Sequence, residues 1–118
     1  MASIVFDELT SAAPISAVKT VVEGIFNFGF NGEYGQDQVD SEAALAAGSP
    51  ARLTGNKPSC VLEWTDEAVP DANTDWKQIA TVYDNGQVLK VDIEAGTCRT
   101  RVGGEADAGT SMFPRLDA

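Results

Sequence analysis

The sequence predicts an all-β fold, a single antiparallel β-sandwich of Greek-key or jelly-roll type with one short helix or helical turn near 40–47. Three observations predict it. Residues 86–95, GQVLKVDIEA, alternate between apolar and polar side chains, which is the period of a half-buried strand. Residues 17–34 combine valine, isoleucine and phenylalanine with glycines, a composition that favours strands over helices. Turn-forming residues at 84–86 and 94–96 separate the apolar runs.

Length and charge limit the classes of function. A chain of 118 residues has the size of one domain with one core. Its 18 acidic and 8 basic residues give a net charge of −10, so we expect neither nucleic acid nor an anionic membrane as a partner. We find no apolar run of the ~20 residues that span a bilayer and no secretory signal at the start, so we expect folding in the cytoplasm, or export by a route that the sequence does not show.

The first third of the chain predicts strands that carry the core aromatics. The start, SIVFDELTSAAPIS, has one short apolar run that predicts an edge strand. Residues 17–34 predict two strands with a bend or bulge at Gly24. Phe26, Phe28 and Phe30 are spaced by two, so one face carries all three rings. We expect them in the core; the alternative is an aromatic platform for a glycan or partner.

Residues 59–102 predict four strands in a meander or in part of a Greek key. In the first, Cys60, Leu62 and Trp64 share one face. A wide loop at 66–75 leads to a second strand from Trp76, and Asp84-Asn85-Gly86 predicts a hairpin turn into the third. The predicted faces of the last two strands are Leu89, Val91 and Ile93 in the third, and Cys98, Thr100 and Val102 in the fourth.

Two segments remain outside the predicted strands. Asp40 or Ser41 is a suitable cap for a short helix that ends at Gly48. We place the sandwich domain at 1–103 and a C-terminal tail at 104–118. The tail contains Met112, Phe113 and Leu116, and it either folds back on its own domain or docks on a neighbouring subunit.

The two cysteines, Cys60 and Cys98, match no zinc or redox spacing. Both point toward the core in the predicted strands. They are either two buried thiols that act as small hydrophobic residues or one bridge between neighbouring strands.

The chain lacks the residue types of most catalytic sites. It has no histidine, which removes the usual general base and the commonest metal ligand. No spacing singles out a carboxylate pair, so we predict a protein that is not an enzyme and needs no cofactor. The loop residues Asp66, Glu67, Asp71 and Asp75 offer oxygen ligands, but they do not match the EF-hand pattern, and we expect a solvated acidic loop without metal.

The predicted partner-binding residues are two arginines and three apolar residues of the tail. Arg99 and Arg101 share the face opposite Cys98 and Val102. They pair either with the acidic loop of the same chain or with an acidic patch on another subunit. The full predicted set is Arg99, Arg101, Met112, Phe113 and Leu116.

The order CVLEW, a polar loop, Trp76, KQIATVYDNG, QVLKVDIEAG and TCRTRV resembles small virion proteins of tailed phages. Members of this type are β-sandwiches that serve as capsid decoration proteins or as accessory modules of tails and fibres. The resemblance implies that Trp76 belongs to the core. Residues 40–57 lengthen a connection relative to this type.

We therefore expect a structural virion protein that decorates the capsid surface and clamps adjacent shell subunits. Its partners would be the major capsid protein or other virion subunits, and it would form a homo-oligomer, such as a trimer, after folding in the host cytoplasm. The alternative is a carbohydrate- or partner-binding sandwich module of a tail, a fibre or a secreted protein. In that module Tyr34, Trp64 or an upstream phenylalanine stacks on a sugar and the acidic loop holds calcium.

Overall fold

A computed structural model describes residues 3–33, 59–83, 86–104 and 110–118. Its strands in chain order are β1 (Ile4–Val5), β2 (Leu9–Thr10), β3 (Lys19–Val21), β4 (Gly24–Glu33), β5 (Ser59–Thr65), β6 (Lys77–Val82), β7 (Val88–Ile93), β8 (Gly96–Gly103) and β9 (Ser111–Asp117). The described residues contain no helix, and the helix predicted near 40–47 lies outside them. Every strand pair is antiparallel, which confirms the predicted all-β class.

The strands form two sheets. Sheet A has the order β1-β9-β4-β7, and β2 also pairs with β9; sheet B has the order β3-β8-β5-β6. Among the described strands, only β5 and β6 are neighbours both in sequence and in a sheet. The other connections between consecutive described strands cross from one sheet to the other, except the one between β1 and β2. These two strands lie in sheet A but do not pair with each other.

Of the two arrangements predicted over 59–102, the meander is therefore wrong. The strands on either side of 84–86 lie in different sheets, so this segment does not join a two-stranded hairpin. The residues that favour a reversal of the chain do not specify which sheet the next strand enters. Here β7 pairs with β4 and places Val91 and Ile93 in the core from the side opposite to β6.

One hydrophobic core fills the space between the sheets, so the fold is sandwich-like. Phe26, Phe28 and Phe30 on β4 are 1%, 0% and 2% exposed, which confirms their predicted place in the core. The other buried side chains of this core are Phe6, Leu9, Val21, Cys60, Leu62, Val82, Val91, Ile93, Cys98, Val102, Met112 and Leu116. The predicted bend at Gly24 marks a change of sheet, because β3 ends at Val21 in sheet B and β4 begins at Gly24 in sheet A.

The segment predicted as a tail contains β9, which lies inside sheet A between the β1 and β2 strands and β4. Residues 111–117 of this segment therefore pair with strands of their own domain. Pro114 makes this strand hard to predict from the sequence. Proline cannot donate a hydrogen bond to a neighbouring strand, so its presence usually argues against an inner strand. The Pro114 carbonyl accepts from Phe6 N at 3.1 Å, in the gap between β1 and β2. The side of Pro114 that lacks an N–H group therefore faces the gap between β1 and β2 and not a continuous strand.

The two cysteines are free and buried, which confirms the first of the two predicted alternatives. Cys60 lies opposite Val102, four residues after Cys98 on the same strand. At about 3.3 Å per residue, the two positions are separated by roughly 13 Å along the sheet. Disulfides require Cα atoms within about 7 Å, so these thiols cannot join in this register.

Burial of the thiols predicts a loss of stability at alkaline pH. Burial raises the pKa of both Cys60 and Cys98 from 9.0 to about 12. Above pH 9 the unfolded chain releases these protons while the folded chain keeps them, so the free energy of unfolding falls as the pH rises toward 12. Each thiol contributes a slope of up to about 1.4 kcal/mol per pH unit.

The measurement is urea unfolding at a series of pH values from about 8, where both states keep the protons, to about 10.5, where the unfolded chain has lost them. The control is a chain with Cys60→Ala and Cys98→Ala. This variant is expected to be less stable at every pH but to lose stability less steeply. Equal slopes for the two chains would contradict the prediction.

No helix in the described part of the chain is long and apolar enough to cross a bilayer.

Candidate functional site

The two predicted arginines lie on the outer face of sheet B. In β8, Cys98, Thr100 and Val102 point to the core, so Arg99 and Arg101 point outward. The neighbouring strand β5 places Glu63 directly opposite Arg99 and Val61 opposite Arg101. Glu63 is therefore outward-facing as well, yet it is only 7% exposed.

Both arginines bind the same carboxylate. Arg99 Nε donates to Glu63 Oε1 at 3.0 Å, and Arg101 Nε forms an ion pair with Glu63 Oε2 at 3.1 Å. Contacts between charged groups are stronger than neutral hydrogen bonds, and these two hold both guanidinium groups beside the same carboxylate. Two positive groups around one negative group leave the cluster with one net positive charge, on a chain whose total charge is −10.

Trp76 completes this cluster. The Arg99 guanidinium lies over the Trp76 ring, 4.2 Å from the ring centroid. The placement of Trp76 in the core, implied by the resemblance, is therefore wrong: its half-buried ring packs against an outward-facing arginine. Trp64 packs against the core instead, and its indole Nε1 donates to the Glu94 carbonyl at 3.0 Å.

The N-terminal segment extends the same face. Ile15 forms a β-bridge with Arg101 and is 50% exposed. The flanking hydrogen bonds run from Ser16 N to the Thr100 carbonyl and from Val102 N to the Pro14 carbonyl, each 2.9 Å. We call the surface formed by Ile15, Glu63, Trp76, Arg99 and Arg101 the arginine face.

The predicted pairing of the arginines with the acidic loop is wrong. Their shared partner is Glu63 in the strand before that loop, because the β5–β8 register brings it beside both guanidinium groups. Asp71 in the loop instead accepts a local bond from Asn73 N at 2.8 Å. The sequence signal for this ion pair is Glu63 within the apolar run CVLEWT, because an acidic residue is seldom buried without a partner.

The three apolar partner-binding residues of β9 are divided between two environments. Met112 and Leu116 are 0% exposed and belong to the core of this chain, so neither offers surface to a partner in this fold. Phe113 points the other way and is 49% exposed on the outer face of sheet A. Successive residues of a strand point to opposite sides of the sheet, so β9 places Phe113 on a different face from Met112 and Leu116.

The upstream phenylalanines do not provide the sugar platform of the alternative function, because Phe26, Phe28 and Phe30 are buried. Trp64 is half-buried, and it lines a cavity with Lys77, Gln78 and Glu94. Tyr34 lies outside the described residues. Among the described residues, no three histidine, cysteine, aspartate or glutamate side chains are grouped as metal ligands.

A scan against protein-family models matches no family, and searches among curated proteins and among solved structures find no match.

Proposed function

We propose that this chain is a non-enzymatic structural protein of a virion, a capsid decoration protein that binds and stabilises the outer shell. In this proposal the arginine face contacts the shell subunits. The observation that carries it is the pair of arginines held on one buried carboxylate, with an aromatic ring on one side and an exposed isoleucine on the other.

The composition of the arginine face is that of a protein interface. Arginine and tryptophan are enriched in interface centres and among the residues that dominate binding energy. Arg99 and Arg101 use their Nε groups for Glu63, and no described residue is paired with their terminal amino groups. These amino groups have the geometry to bind a carboxylate with two parallel bonds.

The arginines of the arginine face are also held by contacts within the chain before binding. Glu63 holds both guanidinium groups, and Trp76 covers one of them. A side chain that is already fixed loses less conformational entropy when a partner binds, so more of the interaction energy appears as affinity. The positive cluster on an otherwise acidic chain would also orient it toward an acidic patch of the shell.

We assign the strand order to the jelly-roll type, which has two four-stranded sheets; sheet A fits this type when β1 and β2 are counted as one interrupted edge strand. Jelly rolls occur in viral capsid domains and in lectin domains. The fold thus supports a virion protein and a sugar-binding module equally, and the distinction has to come from the surfaces.

Binding to intact particles tests this proposal. A lysate of the infected source is separated by density-gradient sedimentation, and each fraction is probed for the chain by mass spectrometry. We expect the chain to migrate with particles at a fixed ratio to the shell subunit. Recovery in the soluble fractions alone would contradict the proposal.

Replacement of both arginines tests the contact surface. We expect Arg99→Lys with Arg101→Lys, which keeps the charge but loses the forked geometry, to weaken binding of purified chain to undecorated particles by roughly tenfold or more. Arg115→Lys on the opposite sheet is the matched control and should bind as the parent does. If the double variant also bound equally well, the arginine face would not be the contact surface. Sedimentation velocity of the purified chain tests the proposed homo-oligomer.

A further inference from the structure

The outer face of sheet A contains a depression of about 120 Å³ above Gly29. Along β4 the outward positions are Asn27, Gly29 and Asn31, because the phenylalanines between them point to the core. One row of the sheet consists of Val5, Arg115, Gly29 and Val88. The depression exists because glycine contributes no side chain to the middle of that row.

The backbone of the segment before β7 keeps position 29 without a side chain. A Cβ atom added to Gly29 would lie 2.7 Å from the Gln87 carbonyl oxygen, which is closer than real contacts allow. The floor of the depression is therefore set by the close approach of β4 and the segment before β7. Its walls are side chains from three different strands and one loop.

The walls of the depression are polar, and three of their side chains carry planar amide groups. These are Asn27, Asn31 and Gln87, which lie on two sides of the depression. The Gln87 side-chain oxygen accepts from Tyr83 N at 3.1 Å, which orients its amino group. Each amide group can donate and accept hydrogen bonds in one plane.

An ion pair forms the remaining wall. Arg115 Nε forms an ion pair with Asp117 Oδ2 at 3.0 Å, and Ser3 Oγ donates to Asp117 Oδ1 at 2.5 Å. The carboxylate is thus held from both of its oxygens, and the pair adds no net charge to the site. Phe113 lies beside it, across from Asn31 on the same face, and is 49% exposed.

We propose that this depression binds a neutral carbohydrate, one hexose or N-acetylhexosamine ring at the end of a glycan. A sugar edge presents adjacent hydroxyl groups that each donate and accept, which matches amides and an internally neutralised arginine–aspartate pair. The apolar face of the ring would pack against Phe113. A charged ligand would have to compete with one member of the ion pair, and an apolar ligand would leave the amides without partners.

This site lies on the opposite side of the sandwich from the arginine face, so one chain can use both surfaces at once. The inference does not depend on the proposed function, because an isolated chain is sufficient to test it.

The test is nuclear magnetic resonance titration of the full ¹⁵N-labelled chain with methyl glycosides of glucose, galactose, mannose and N-acetylglucosamine. We expect one or more of them to give saturable shifts of the Gly29 amide and of the Asn27 and Asn31 side-chain amides. The methyl glycoside of glucuronic acid is the anionic comparison, and we expect weaker binding.

Asn27→Ala should raise the dissociation constant by roughly tenfold, the effect of losing one or two hydrogen bonds. Gln78→Ala removes an exposed amide from sheet B and should leave the dissociation constant unchanged. Phe113→Ala is a second variant at an exposed position, where folding is easily retained, and should also weaken binding. The proposal is overturned by the absence of saturable shifts with all neutral glycosides, by tighter binding of the anionic one, or by unchanged binding in both site variants.

Discussion

Ile93→Asp is expected to unfold the domain. Ile93 is 1% exposed and points into the core from β7, beside Val91. The aspartate would remove apolar contacts and bury an unpaired carboxylate, at a cost of about 5 kcal/mol or more. Because domains of this size are stable by only about 5–15 kcal/mol, this loss is comparable to the total. Circular dichroism and urea unfolding measure it.

Lys90→Asp is the matched control for that substitution. Lys90 lies on the same strand, three residues earlier, with its side chain on the exposed face. We expect a change of less than about 1 kcal/mol, as is usual for surface substitutions. Equal tolerance of the two aspartates would mean that the inner and outer faces of β7 are assigned the wrong way round.

Gly32→Ala is the second substitution with a large expected effect. Gly32 lies opposite Met112 in the β4–β9 ladder and has a φ of 155°, a conformation that side chains rarely adopt. An added Cβ atom would lie 1.8 Å from the Ser111 carbonyl oxygen, so the two strands would have to separate. We expect a loss of about 4 kcal/mol or more in the free energy of unfolding, measured by urea titration.

Gly86→Ala separates the two causes of that loss. Gly86 has a φ of 85°, but a Cβ atom there would meet nothing within 4 Å. Only the backbone conformation opposes the alanine, at a cost of about 1–2 kcal/mol. If the two variants were equally unstable, the steric conflict between Gly32 and Ser111 would play no part.

The inward and outward faces of several strands were predictable from the sequence. The phenylalanines of β4, the Val91–Ile93 face of β7 and the Cys98–Val102 face of β8 are buried as the alternation predicts. Neighbouring residues of a strand point to opposite sides whatever the strand pairs with, so this property is local. The same reasoning missed β9, because Pro114 interrupts the apolar pattern and its acceptable position depends on a gap in another strand.

The arrangement of the strands was not predictable in the same way. The residues at 84–86 favour a reversal, but the sheet that β7 joins depends on which surfaces the completed core can bury. The negative charge of the loop at 66–75 favoured it as the partner of the arginines. The β5–β8 register instead places Glu63 beside them, 36 residues from Arg99 in the chain.

Local periodicity was thus sufficient for the all-β class, the core aromatics and the outward direction of Arg99 and Arg101. Pairing between distant strands set the rest: the shared carboxylate of the arginine face, the outer position of Trp76, and the depression that Gln87, Arg115 and Asp117 form around Gly29. The physical reason is that side-chain direction follows from the geometry of one strand. Contacts across a sheet depend on register, which the burial of the whole core selects.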